Sequence, residues 1–106
     1  MYFINVPEHL VIVLKRFTND GRKNTTNIEY PINLDLNKYI LGYNKNAKYN
    51  LYGIVCHMGS INGGHYIAIA KNNSNQWKIY NDNNITNCND NNIINNKAYI
   101  LFYKKI

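Results

Sequence analysis

Apolar and polar positions along the 106-residue chain fall into short extended blocks separated by polar turns rich in Asn and Gly. Residues 10–17, LVIVLKRF, are a continuous apolar run rich in β-branched side chains that ends in a basic pair and an aromatic. Such a run predicts a strand buried on both faces. Residues 49–57, YNLYGIVCH, and 64–71, GHYIAIAK, predict two further strong strands. Trp77-Lys78-Ile79-Tyr80 predicts a short fourth strand, residues 85–88 a brief one, and residues 98–103, AYILFY, a final one closed by Lys104 and Lys105. Residues 28–32 are extended, with Pro31 marking a strand end or an edge. Apolar residues at 34, 36, 40 and 41 predict a short helical turn capped at Asn33 or Asp35. Residues 89–96, around Ile93 and Ile94, predict another. The remaining stretches, 18–27, 42–48, 72–76 and 81–84, read as loops and turns. The sum is a mainly β fold, one antiparallel sheet in which sequential strands pair as neighbours, with one or two short helical turns.

Composition narrows this little. The length allows one domain with a modest core, and 45% hydrophobic residues place it among folded chains. Ten tyrosines favour strands and partly exposed surfaces. About a fifth of the residues are Asn, far above ordinary usage, and this reads as background except where a motif surrounds one of them. A net charge of +6 raises nucleic-acid binding as a reading. The basic residues are scattered, however, without a run interleaved with aromatics, so no nucleic-acid partner is expected. Cys56 and Cys88 lack a metal-type spacing and read as reduced, intracellular usage, a disulfide between them being the alternative. No apolar run approaches a membrane span. Residues 1–5, MYFIN, lack the charged region and apolar core of a signal peptide. The expected location is therefore the cytoplasm, the nucleus or both, with no membrane partner.

The candidate chemistry lies in residues 57–66, HMGSINGGHY, where two strands meet through a turn. Gly63 and Gly64 leave room for a backbone to approach closely. His65 opens the next strand, and its imidazole suits proton transfer near neutral pH. Asn81 and Asp82 close the strand after that. In an antiparallel pair the start of one strand lies beside the end of its neighbour, which brings His65 and Asn81-Asp82 to one side of the sheet. An imidazole beside a carboxamide or carboxylate is the base-and-orienter half of a nucleophilic triad. Ordinary turn chemistry for 81–84 and for the glycines is the competing reading.

The whole pattern resembles the C-terminal half of the ubiquitin-specific proteases, the papain-like cysteine deubiquitinases. Residues 6–17, VPEHLVIVLKRF, are similar to the family's "LP..L...LKRF" strand. Tyr30-Pro31 with Leu34-Asp35-Leu36 and Tyr39 is similar to "FP..LDL..Y". Residues 49–66 are similar to the histidine box "Y.L.aVv.H.G....GHY", residues 77–82 to "W..fnD", and residues 98–103 to "AY.LFY". Five such pieces in order, spanning residues 7–103, make the match specific. The resemblance implies the palm sheet of a papain-like cysteine peptidase, α+β in the full domain. It implies His65 as general base, Asn81 as the third triad position, and Asp82 as an adjacent acid able to share the orienting role. His57 and the loop to Gly64, with Gly63 and Tyr66, would shape the channel for ubiquitin's C-terminal tail, and residues 18–27 would be a second loop over it. No cofactor is implied.

The departures are specific. No segment here resembles the family's cysteine box, and Cys56 and Cys88 lie outside any such context. The zinc-binding cysteine pairs of the fingers region are missing, so no metal is expected. Met58 stands where serine is frequent. The expectation is that residues 1–106 are a C-terminal fragment of a catalytic domain whose nucleophile lies upstream. The implied partners are ubiquitin, ubiquitinated proteins and that missing N-terminal part. Two rival readings are a catalytically inactive ubiquitin-binding scaffold and a basic β module for nucleic acid, the second marked by steep salt dependence of binding.

Overall fold

The computed structural model describes residues 7–17, 22–24, 28–39, 47–59 and 63–106. The strands are β1 (His9–Val13), β2 (Asn33–Asp35), β3 (Lys48–Met58), β4 (His65–Lys71), β5 (Trp77–Asn81), β6 (Asn84–Asn87) and β7 (Ala98–Lys105). They form one antiparallel sheet in the order β1-β7-β3-β4-β5-β6, with β2 paired to the start of β3. Strands β3 to β6 pair sequentially, as hairpins do. The last strand returns to lie between β1 and β3, so the first and last described strands are neighbours.

The long, apolar β3 is central because it can be buried. Tyr49, Leu51, Ile54 and Cys56 point to one face, where Leu101 and Tyr103 of β7, Ile69 of β4 and the loop residues Tyr30, Ala47 and Ile93 complete the core. Register sets these partners: Leu51 faces Tyr103, Ile54 faces Leu101 and Ile69, and Cys56 faces Ala98 and Ile67. Two irregularities between β3 and β7, at Tyr52 and Tyr99, locally shift the ladder. Three buried tyrosines, expected nearer the surface, peg covering segments to this face. Tyr49 donates its hydroxyl to Pro7 O at 2.5 Å, Tyr103 donates to Pro31 O at 2.6 Å, and Tyr30 donates to Ile93 O while accepting from Asn95 N at 3.1 Å. A buried hydroxyl needs such a partner.

Residues 10–17 depart from the sequence reading. β1 alternates in exposure, with Val11 53% and Val13 56% exposed, and it is an edge strand rather than one buried on both faces. A continuous apolar run is ambiguous on this point. Only one face of β1 meets the core, and its outer edge pairs with no other strand among the described residues. The helical turn expected over 34–41 is split: residues 33–35 pair with β3, and a single 3-10 turn follows at Asn37–Tyr39. Asp35 does cap it, Oδ1 accepting from Asn37 N at 2.9 Å. Ile40 and Leu41 lie outside the described residues. The later turn is a 3-10 turn at Asp90–Asn92. Cys56 and Cys88 are free thiols.

Leu101→Ala is expected to cost about 2–5 kcal/mol through its lost transfer energy and residual cavity, whereas Val11→Ala at the exposed edge costs under about 1 kcal/mol; urea unfolding of the two variants compares them. Burial pushes the Tyr30 and Tyr103 hydroxyls up to about 12. Both groups favour the neutral form in the fold, so their contribution is intact below the ordinary value of about 10 and is lost as pH rises from there through about 12. An alkaline titration followed by phenolate absorbance should show two late tyrosines whose ionisation coincides with unfolding.

Candidate active site

β3, β4 and β5 position the site through their register. Met58 faces His65, and His57 faces Tyr66. Ala68 faces Tyr80 across β4 and β5. Continued toward the hairpin end, that register puts His65 and Asn81 on the same face as diagonal neighbours, a separation that medium-length side chains span. They do meet: His65 Nε2 lies 2.6 Å from Asn81 Oδ1. An amide oxygen only accepts, so Nε2 carries the hydrogen and donates it. In the neutral imidazole the proton-accepting nitrogen is then Nδ1. Asn81 is held at the end of β5 by the tight turn into β6, where Asp82 takes a φ of 53°. Asp tolerates this left-handed backbone better than most residues. Asp82 is exposed in that turn, and the side-chain hydrogen bond made by His65 goes to Asn81.

His57, expected at the end of a strand, lies within β3 and is only 3% exposed. Its ring packs against Tyr66 at 4.8 Å between centroids, Phe17 at 5.4 Å and Tyr99 at 6.2 Å. Its backbone carbonyl accepts from Lys23 Nζ at 2.8 Å. Burial, with the nearby Lys23 ammonium, holds the imidazole below its ordinary titration range. Its Nδ1 is buried and has no hydrogen-bond partner among the described residues. Tyr66 is 56% exposed beside it.

The two glycines differ. A β-carbon on Gly63 would meet nothing within 4 Å among the described residues. One on Gly64, whose φ is +155°, would lie 2.5 Å from His57 Nε2 and 2.5 Å from Met58 O. Gly64 is therefore the position that demands glycine, and the backbone it admits rests on the His57 ring. Gly59, at φ +110°, is closed in the same way by the Gly64 Cα at 2.8 Å. Sequence reading did not single out Phe17, Lys23, Gly59 or Tyr99, which surround this point. The signal available was the aromatic ending the LKRF run. Residues 60–62, and most of 18–27, lie outside the described residues.

Neither cysteine has the surroundings of an activated nucleophile. Cys56 is buried against Asn95 Oδ1 at 3.7 Å, and burial pushes both the Cys56 and the Cys88 thiol up. Among the described residues no three His, Cys, Asp or Glu side chains gather as metal ligands, and no described helix is long and apolar enough to cross a membrane.

Because the fold favours neutral His57, its contribution to stability is present above the ordinary imidazole value of about 6.5 and is lost as pH falls from there toward the lowered folded value. Urea midpoints at acidic and neutral pH should differ in the native chain, and His57→Phe should remove that part of the difference.

The ubiquitin carboxyl-terminal hydrolase family model matches residues 1–103. Ubiquitin carboxyl-terminal hydrolase Usp2 of Drosophila melanogaster is 40% identical over 105 residues, which cover 93% of this chain and 11% of that protein. Ubiquitin carboxyl-terminal hydrolase 9 of Arabidopsis thaliana is 37% identical over 107 residues, covering 95% of this chain and 12% of that protein. The structure of the Ubp8-Sgf11-Sgf73-Sus1 SAGA DUB module superposes with a TM-score of 0.83 at 35% identity, over 95% of this chain and 24% of that chain. The same kind of module bound to ubiquitin aldehyde gives 0.81 at 33%, over 95% and 25%. The chain thus spans about a tenth of these curated relatives and a quarter of the solved chains. Its strand order, its histidine box and these matches agree: the chain belongs to the ubiquitin-specific protease family of ubiquitin carboxyl-terminal hydrolases, of whose catalytic domain it carries the C-terminal, histidine-bearing part.

Proposed function

We propose that this chain supplies the base half of a cysteine deubiquitinase site, acting within a longer protein that cleaves the bond after the C-terminal glycine of ubiquitin. The observation that carries the reading is the 2.6 Å hydrogen bond from His65 Nε2 to Asn81 Oδ1, which leaves Nδ1 as the basic nitrogen. A thiol from outside residues 1–106 gives its proton to Nδ1, and the thiolate attacks the glycine carbonyl carbon. The tetrahedral intermediate collapses to a thioester, and Nδ1–H protonates the leaving amine. Water, deprotonated by the same nitrogen, then releases ubiquitin. Asn81 fixes the tautomer and the ring orientation, and Asp82 supports that turn.

Gly63, Gly64 and Tyr66 wall the channel for the Gly-Gly tail, with His57 beneath them. Ubiquitin and ubiquitinated proteins are the partners, in the cytoplasm or nucleus. Relatives named as ubiquitin hydrolases and a neighbour bound to ubiquitin aldehyde support this choice. Alone, the 106-residue chain has a base without an activated thiol and is expected to turn over nothing.

In the longer enzyme, His65→Ala is expected to lower kcat/KM for a ubiquitin C-terminal fluorophore by at least about 10³-fold, as removal of a general base does. Asn81→Ala is expected to lose about 10²-fold and Asp82→Ala under about tenfold, since the base is held through Asn81. Equal losses from Asn81→Ala and Asp82→Ala would make the orienting role a shared one. Ubiquitin binding without any turnover in the native protein would favour an inactive scaffold.

A further inference from the structure

The residue that aims His65 is not confined to Asn81. Asn81 fixes the outer end of the imidazole, but the ring swings on a backbone delivered by Gly64. That backbone is wedged: a β-carbon at Gly64 would come within 2.5 Å of both His57 Nε2 and Met58 O, and Gly59 is filled from the same side by the Gly64 Cα. The His57 ring is thus the surface on which residue 64 sits. It also packs against Tyr66, the residue after His65. Contacts on both chain neighbours of His65 come from one buried side chain.

The ring is itself held by its aromatic surroundings. Phe17, Tyr66 and Tyr99 surround it, its Nδ1 has no hydrogen-bond partner among the described residues, and Lys23 grips its own carbonyl. The imidazole is a flat, buried spacer between these rings and Gly64.

We propose that His57 is a positioning residue for the general base: its buried ring sets the path of Gly64-His65-Tyr66 and so the direction in which His65 Nδ1 points. This rests on the reading of His65 as the base. Position is where such an effect is felt, because a misplacement of about 1 Å can cost about 10²-fold in rate.

The test uses the longer enzyme containing this chain, with His57→Ala, His57→Phe and Gly64→Ala. Steady-state kinetics on a ubiquitin C-terminal fluorophore are paired with the pH dependence of nucleophile alkylation by iodoacetamide, which reports how well His65 stabilises the thiolate. His57→Ala is expected to lower kcat by about 30- to 100-fold with KM within about threefold, and to move the alkylation midpoint to higher pH. His57→Phe, an apolar ring of similar breadth, is expected to recover kcat to within about fivefold and to restore the midpoint. Gly64→Ala attacks the same contact from the backbone side and should reproduce the kcat loss and the midpoint shift, so it carries the test if His57→Ala does not fold. A raised KM with an unmoved midpoint would overturn the proposal in favour of direct substrate contact. A His57→Phe enzyme as impaired as His57→Ala would overturn it too. His65→Ala is run alongside: if its alkylation profile matches the native enzyme, the base assignment fails whatever His57 does.

Discussion

Everything in the site depends on strand register across β3, β4 and β5. Side chains alternate between the two faces of a sheet, so a slip of one residue would carry His65 to the opposite face from Asn81. The register is pinned far from the chemistry. Ile54 and Ile69, paired across β3 and β4, and Ile79, paired with Ile69 across β5, all point into the same core. Moving any of them by one position would expose apolar surface at a cost of about 1.5–3 kcal/mol for each large side chain. The hydrophobic core therefore selects the pairing, and the pairing aligns the imidazole with the amide. A hydrogen bond worth about 1 kcal/mol net could not enforce that register by itself.

The sequence foretold strands where apolar runs were long or bounded by turns. Residues 49–57, 64–71, 77–80 and 98–103 all became strands, each extended or trimmed by one or two residues. It misjudged the depth of residues 10–17, since a continuous run of Val, Ile and Leu looks alike whether it is covered on one face or on two. It also underrated the tyrosines: Tyr49 and Tyr103 are almost fully buried, and what permits this is a carbonyl on a remote segment that no local pattern announces. Nor is the abundance of Asn only background. Asn72 Oδ1 accepts from Ser74 N and Gln76 N to shape the β4–β5 turn, and Asn95 ties residues 92–97 together. Such side-chain mimicry of backbone bonds is what suits Asn to turns.

At the site, the pairing of His65 with an amide one strand away was legible, because antiparallel topology brings a strand's start beside its neighbour's end. Which of Asn81 and Asp82 would be the partner was not. That depends on face alternation at the last residue of β5, and the positive φ of Asp82 is what ends the alternation there. The sequence also could not distinguish the glycines, since the demand on Gly64 comes from a ring seven residues earlier that faces it only after the hairpin closes.

The pairing of β1 with β7 has a mechanical side. His9 lies opposite Lys104 and Val13 opposite Ile100, so the outer ends of this ladder, His9 and Lys104, sit together at one edge of the sheet. Tension applied to those two ends would load the hydrogen bonds one after another, peeling β1 away like a zipper, instead of shearing them all at once. β1 packs Leu10 and Ile12 against the core and leaves Val11 and Val13 exposed, so it would detach before the central strands β3, β4 and β5 part. Peeling that runs past Val13 reaches Leu14, whose N–H bonds Tyr99 O, and then Phe17, which packs on the His57 ring, so force applied at this edge reaches the site only after β1 has gone.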